Sequence, residues 1–234
     1  MKLETYSKKF MHYHADSLPE LLEGILKKRP PQNMADLGSG DGSILFALSS
    51  LGYLNEVKEI IAIDISADRI ENVHEIDTRI QCHVADVSNL SMIKEASLDL
   101  AISSQVIEHL PDDEIFIKEA HTVLKKDGLF FLSTVFKKWY GWYFYRCNGK
   151  WVLDPTHVRE YTQTSTLEDL IVRNGFEILK SKKALFWFPI TDFILKRIGM
   201  KRTIYANPFM KLLRKIKIPI LGYYNWEMVL VKKK

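Results

Sequence analysis

Asp36-Leu37-Gly38-Ser39-Gly40-Asp41-Gly42 closes an apolar run that starts near Asn33, and a new segment opens at Ser43. Glycine at every second position permits φ > 0 and removes the Cβ atoms that would hold a ligand off the main chain. The helix expected from about Ser43 offers N–H groups that have no partner inside the helix. A strand, a glycine turn and a helix in that order predict the first unit of an α/β sheet. A dinucleotide fingerprint, G-x-G-x-x-G, has a wider last gap that seats a pyrophosphate. Here that gap is one residue, and Asp36 and Asp41 flank the loop. Carboxylates in those places repel a pyrophosphate and suit a cationic ligand. The spacing therefore argues against a nicotinamide-dependent oxidoreductase.

The same alternation runs outward from the loop. A helix over about Ser17 to Arg29 stops at Pro30-Pro31, as a proline pair requires. The β-branched run Glu59–Ile65 reads as a buried strand, and a polar helix, Ala67 to about Ile76, follows it. Strands are expected at Ile80–Ala85, Leu98–Ser103 and Leu129–Val135, with a helix from about Asp112 to Leu124. Lys126-Asp127-Gly128 makes the turn before the last of these, and Trp226–Val231 reads as a closing strand. Strands alternating with helices imply a mostly parallel sheet covered on both faces. In such sheets ligands sit beyond the carboxyl ends of the strands.

The 234 residues, 47% hydrophobic and 26% charged, suit one elaborated domain with a sizeable core. No signal-like start and no run of about 18 apolar residues occurs. Cys82 and Cys147 stand alone, without a metal-ligand spacing, so no metal is expected and a reducing cytoplasm is. The net charge of +4 hides an asymmetry: residues 1–179 hold 19 basic against 27 acidic side chains, whereas 180–222 hold 11 basic residues and the single Asp192.

D-L-G-S-G-D-G resembles the first motif of the class I S-adenosylmethionine-dependent methyltransferases, and it matches at each glycine. Ser104-Gln105-Val106-Ile107-Glu108-His109 is similar to the fourth-strand motif of that family, in the form carried by quinone-precursor and other small-molecule methyltransferases. The likeness covers about residues 33–135 well and 154–179 more weakly. It implies a Rossmann-like, doubly wound sheet of seven strands with an antiparallel last strand. It divides a single domain over 1–234 into an N-terminal helical segment (1–32), a cofactor-binding core (33–179), a basic aromatic insertion (180–222) and a closing strand (223–234).

The resemblance also implies a binding set for S-adenosylmethionine: Asp36, Gly38, Ser39, Gly40 and Gly42 in the loop, then Asp64 with Ile65, Asp86 with Val87, and Ser104 with Gln105. Asp64 ends the second strand, where an acidic side chain can accept the ribose hydroxyls. Its other role would be to cap the next helix, a task Ser66 can take over. Asp86 matches the residue that accepts the adenine amino group, and Ser104 and Gln105 would meet the methionine part. Gln105 stands where several relatives carry an acid.

A hydroxyl acceptor needs a base, and histidine titrates in the right range. His109 and His157, the latter in Asp154-Pro155-Thr156-His157-Val158-Arg159-Glu160-Tyr161, either serve as that base or brace their loops. Trp139, Tyr140, Trp142 and Tyr143 lead a run of six aromatics in seven residues, which either walls an apolar acceptor pocket or packs into the core. No N-P-P-Y or D-P-P-Y run follows the fourth strand, which disfavours the usual adenine or amide methylation. The expected acceptor is a small, apolar or lipid-like molecule methylated at oxygen. An RNA or protein acceptor and a non-catalytic cofactor-binding partner subunit are the alternatives. The run Phe209–Ile218 reads as a basic amphipathic helix, so 185–218 suits peripheral membrane contact or a lid on the domain. A nucleic-acid surface is the weakest reading, because the acidic body repels a polyanion.

Overall fold

The apolar run before the glycine loop forms β1 (Asn33–Leu37), and its side chains alternate between two separate cores. Met34 enters one with Leu22, Leu45, Leu48 and Phe131, while Ala35 and Leu37 enter the other with Phe116, Ile117, Phe130 and Trp226. Successive strand side chains point to opposite faces, so a strand apolar at consecutive positions must be covered on both.

The computed structural model describes residues 17–147, 149–189, 191 and 208–233. Around β1 the elements are α1 (Glu20–Lys28), α2 (Ser43–Ser50), β2 (Glu59–Asp64), α3 (Ala67–His74), β3 (Ile80–Val84), β4 (Leu98–Ser104), a 3-10 turn (Ile107–His109) and α4 (Asp113–Val123). The chain continues through β5 (Leu124–Lys137), β6 (Tyr145–Cys147), β7 (Lys150–Val152), α5 (Thr164–Arg173), β8 (Phe176–Pro189), α6 (Pro208–Leu213) and β9 (Lys217–Lys232). The seven-stranded sheet has the order β3-β2-β1-β4-β5-β9-β8, and β6 and β7 form a separate hairpin. Strands β1 to β5 pair in parallel, whereas β9 runs antiparallel to both β5 and β8. The order reverses at β1, beside β4, and the glycine loop emerges at that switch point.

Local chemistry sets the helix ends. Asp112 caps α4 by accepting the N–H groups of Glu114 and Ile115 at 3.0 Å. Helix α1 carries Glu20 and Glu23 in its first turn and Lys27 and Lys28 in its last, the arrangement that the helix dipole favours. Among the described residues no helix is long and apolar enough to cross a membrane.

The expected insertion over 180–222 is smaller than its sequence suggests. Residues 180–185 pair with β9 inside the sheet, and only the ends of the two strands continue as a two-stranded ribbon beyond it, with Trp187 opposite Pro219 and Pro189 opposite Lys217. Phe209–Ile218 is not one helix either: α6 ends at Leu213 and Lys217 already pairs as a strand. Ile216 and Ile218 favour extended backbone, and Pro219 cannot continue a helix. Residues 1–16, 148, 190 and 192–207 lie outside the described residues.

Gly222, at φ +81°, lets the loop after β5 cross this ribbon. Lys138 donates its N–H to the Gly222 carbonyl at 2.8 Å, and a Cβ on Gly222 would stand 2.4 Å from Gly141 Cα. The Gly222→Ala variant is expected to lose roughly 2 kcal/mol or more, since backbone atoms must separate. Equilibrium denaturation measures this, and an unchanged midpoint would mean that the crossing does not support the fold.

Candidate active site

The three loop glycines differ in what surrounds them. All have positive φ: +81° at Gly38, +55° at Gly40 and +75° at Gly42. A Cβ on Gly38 would lie 2.5 Å from Val106, and one on Gly42 2.4 Å from Ile76, so these two are held by packing. Over Gly40 the nearest atom is 3.8 Å away, on the Arg69 guanidinium. Gly40 is thus the point of the loop where a ligand can lie on the backbone.

Asp64 holds this loop. One carboxylate oxygen accepts the Gly40 N–H at 2.8 Å and the other the Ser66 N–H at 2.9 Å, while its main-chain carbonyl accepts from Ala85. Ser66 stands at the N-cap position of α3, and its side chain makes no capping bond. Each carboxylate oxygen has two lone-pair directions, so Asp64 retains acceptor capacity for hydroxyls above Gly40. The neighbouring Ile65 side chain is exposed and leaves the strand end open.

Asp36 is only 2% exposed. Burial, reinforced by the charge of Asp64, lifts its pKa to about 7. Asp41 is also buried and accepts from Asn72 Nδ2 at 3.0 Å. Ser39 is buried, and its Oγ has no hydrogen-bond partner. The loop is therefore flanked by two buried carboxyl groups, of which Asp36 holds its proton up to about pH 7.

Past β3, Asp86 is exposed and accepts the Ser88 N–H at 2.8 Å, while the Val87 side chain enters the core. At the end of β4 the Ser104 hydroxyl lies 2.8 Å from that of Ser133. Gln105 takes φ +58° and gives its side-chain amide to Asn225 Oδ1 at 3.0 Å. Asn225 in turn donates to Glu227 at 2.9 Å. The Gln105 side chain is thus tied to β9 rather than presented alone at the strand end.

The two candidate histidines, far apart in the chain, meet: their rings stand edge-on with centroids 4.7 Å apart. Arg159 brings them together by donating to the carbonyls of Ile107, Leu110 and Pro111 at 3.2, 2.6 and 2.7 Å. The Val158 and Arg159 N–H groups add bonds to the Glu108 carbonyl. His157 is buried, with Nδ1 2.9 Å from Glu160. Burial opposes charge on this ring, but the Glu160 hydrogen bond and the carboxylates of Glu108, Glu160 and Asp154 together carry its pKa above the ordinary imidazole value.

His109 is half-buried, with Nδ1 3.0 Å from Thr156 Oγ1. Thr156 spends its hydroxyl hydrogen on Asp154 at 2.6 Å, so it accepts from His109. That selects the Nδ1–H tautomer and turns the Nε2 lone pair into the proton acceptor. Glu108 is fully buried, bonds Thr134 through one oxygen at 2.9 Å and leaves the other without a partner. Burial raises its pKa, against the pull of His157. Glu108, His109 and His157 each place a ligand atom within 4.8 Å of the others, a set able to hold a metal ion that no sequence spacing announced.

The aromatic run divides. Tyr143 packs beside Val135, Ile220 and Tyr223, whereas Trp139, 92% exposed, and Tyr140 and Trp142 reach solvent. Trp142 lies edge-on to Phe144 and Trp151, with centroids 5.1 and 5.6 Å apart. Neither a closed pocket wall nor a core insertion describes them. Glu160 bonds within its own run, to His157 and the Leu153 N–H, whereas Thr156 and Arg159 also reach the segment after β4.

Asp36 makes stability depend on pH. Between its ordinary value near 4 and about 7 the folded state holds a proton that the unfolded chain releases, so stability falls as pH rises through that window. The Asp36→Asn variant is expected to flatten this fall and, above pH 7, to exceed the parent by on the order of 2–4 kcal/mol without ligand. Denaturation at several pH values measures it, and parallel curves for the two proteins would refute the assignment.

A methyltransferase domain model matches residues 35–132. A ubiquinone biosynthesis O-methyltransferase of Pelagibacter ubique is 25% identical over 154 residues, 63% of this chain and 62% of that protein. A "Probable S-adenosylmethionine-dependent methyltransferase" of Mycobacterium tuberculosis is 31% identical over 100 residues, covering 43% of this chain and 34% of its own. The chain thus spans less than two thirds of the length of these relatives. Among solved structures, the YcgJ protein of Bacillus subtilis superposes with a TM-score of 0.61 at 19% identity, over 91% of this chain and 98% of its own. With the glycine loop, Asp64 and the strand order already in place, residues 35–132 are thus similar to a methyltransferase domain, and the fold is shared with the YcgJ protein over most of the chain.

Proposed function

We propose that this enzyme methylates a small, apolar or lipid-like acceptor at oxygen, with His109 removing the hydroxyl proton. The observation that carries this reading is the Asp154–Thr156–His109 chain, with links of 2.6 and 3.0 Å, next to the end of β4. Relatives named as ubiquinone biosynthesis O-methyltransferases support oxygen as the acceptor atom.

S-adenosylmethionine, when bound, supplies an electrophilic methyl group on a cationic sulfur. The residues present fit it: the space over Gly40 is open, Asp64 has acceptor capacity beside it, and Asp36 lies beneath. The protein's own work is alignment, which can supply much of the rate, and proton removal. In this reading Asp154 orients the Thr156 hydroxyl, Thr156 holds the His109 tautomer, and His109 Nε2 receives the acceptor proton. His157, buried and committed to Glu160, braces the loop that carries Thr156.

Two experiments test the reading. Gly40→Ala is expected to lose about 1 kcal/mol of stability from its left-handed backbone but to weaken S-adenosylmethionine binding at least about tenfold. Gly38→Ala should instead mainly destabilise, by roughly 2 kcal/mol, because its Cβ meets Val106. Calorimetric binding and denaturation separate the two, and equal binding by Gly40→Ala and the parent would remove the ligand from this place.

For the base, His109→Gln should lower kcat on the order of 10²–10⁴-fold at unchanged cofactor affinity. It should also abolish the rise of rate with pH that deprotonation of the imidazole gives the parent. An unaltered pH profile would exclude His109 as the base. Label from the methyl donor recovered in RNA or protein, and not in a small phenol or lipid, would replace the acceptor reading.

A further inference from the structure

We propose that the ribbon formed by the ends of β8 and β9, with α6 and the loop after β5, is a docking surface for an anionic lipid bilayer. Four observations carry it. First, one face of the ribbon is apolar and open: Trp187 lies opposite Pro219, and Leu221, 69% exposed, continues that face. Phe209, Leu212 and Ile216, on or next to α6, are exposed as well, as are Trp139 and Trp142 on the neighbouring loop. Isolated exposed apolar residues are ordinary, but a concentration of tryptophan and aliphatic side chains on one rim marks an interaction surface.

Second, the charge on this rim has one sign. Lys138–Val152, Leu185–Pro189 and Pro208–Trp226 contain no aspartate or glutamate, but contain Lys138, Arg146, Lys150, Arg214, Lys215 and Lys217. Lys217 pairs with Pro189 on the face that carries Trp187. Each lysine or arginine near an anionic membrane contributes about 1 kcal/mol of attraction, and indole rings favour the headgroup layer.

Third, the other occupants fit less well. Two copies meeting through this rim would oppose like charges, which disfavours a symmetric dimer. A nucleic acid uses cations and aromatic rings, but has no use for exposed Leu212, Ile216 and Leu221.

Fourth, the rim stands at the carboxyl end of β5. That is the end of the sheet at which the glycine loop, His109 and His157 lie, because β9 pairs with β5 up to Tyr223 opposite Lys137 and the ribbon projects beyond. A bilayer touching the ribbon faces the end of the sheet where methyl transfer takes place. This deepens the lipid-like acceptor reading by naming where such an acceptor is gathered, yet the docking itself is tested without any methyl transfer.

The test is flotation of the full chain with phosphatidylcholine vesicles, with and without phosphatidylglycerol, together with tryptophan emission. The expected result is co-flotation and a blue shift only with the anionic vesicles, weakening as salt rises. The Lys215→Glu/Lys217→Glu variant and the Trp187→Ala/Leu221→Ala variant should each bind vesicles at least about tenfold more weakly. Both should keep the parent's S-adenosylmethionine affinity and melting temperature, which separates lost docking from lost folding. Absence of flotation by a protein that still binds S-adenosylmethionine overturns docking and leaves the methyltransferase reading intact. Equal binding to neutral vesicles, salt-sensitive binding to an RNA oligomer in place of vesicles, or self-association that alone buries the rim would also overturn it. Flotation of a protein whose small-molecule acceptors prove water-soluble would uphold docking and remove the lipid-like acceptor.

Discussion

The carboxylate of Asp64 fixes the glycine loop against the end of β2, where the Ile63 carbonyl already accepts the Gly38 and Ser39 N–H groups. It accepts one N–H from the glycine loop and one from the start of α3, while its carbonyl accepts from Ala85 after β3. A charged acceptor in a nearly buried position forms strong bonds to backbone donors, and leaving those donors unmatched would be costly. The loop can therefore keep its run of left-handed glycines, a conformation that most sequences avoid. Asp36 lies below the same loop without a balancing cation among its named neighbours, and its raised pKa records that cost. The result is a stretch of open backbone at Gly40 beside two buried carboxyl groups.

A second constraint acts on the other side of β4. Arg159 spans three carbonyls in and after the 3-10 turn, and the Glu108 carbonyl takes two further N–H groups from the same loop. A planar guanidinium with several fixed donors suits this task better than a lysine would. Once the loop is held, the two histidines differ by environment. His157 is buried against carboxylates, whereas His109 is more open and meets a hydroxyl that is itself oriented by Asp154. The two rings thus sit in different surroundings, although the residue type is the same.

Much of this was legible before any coordinates. The alternation of apolar strands with amphipathic helices placed β1, β2, β4 and β5 within a few residues, since burial on both faces needs nearly continuous apolar runs. The glycine loop and Asp64 were readable because their roles depend on neighbours in sequence and on the order of successive strand ends. One expectation failed for a physical reason. The run from Phe209 to Ile218 has helical spacing, but edge pairing with β8 from Lys217 onward outweighs that periodicity.

The remaining features lay beyond any reading by pattern. Asp154-Pro155-Thr156-His157 and Ile107-Glu108-His109 are each recognisable, yet only the hydrogen bonds of Thr156, Val158 and Arg159 bring them side by side, and no spacing rule encodes such a contact. The same holds for the aromatic run after Lys137: its composition fits a buried wall as well as an exposed rim. What decides is whether later elements close over it, and the Gly141–Gly222 crossing leaves Trp139 and Trp142 outside. Local pattern was sufficient for the elements and the cofactor loop because short-range backbone sterics and side-chain period act within a few residues. The histidine pair and the cationic rim required the closed sheet, because their geometry comes from contacts between segments distant along the chain.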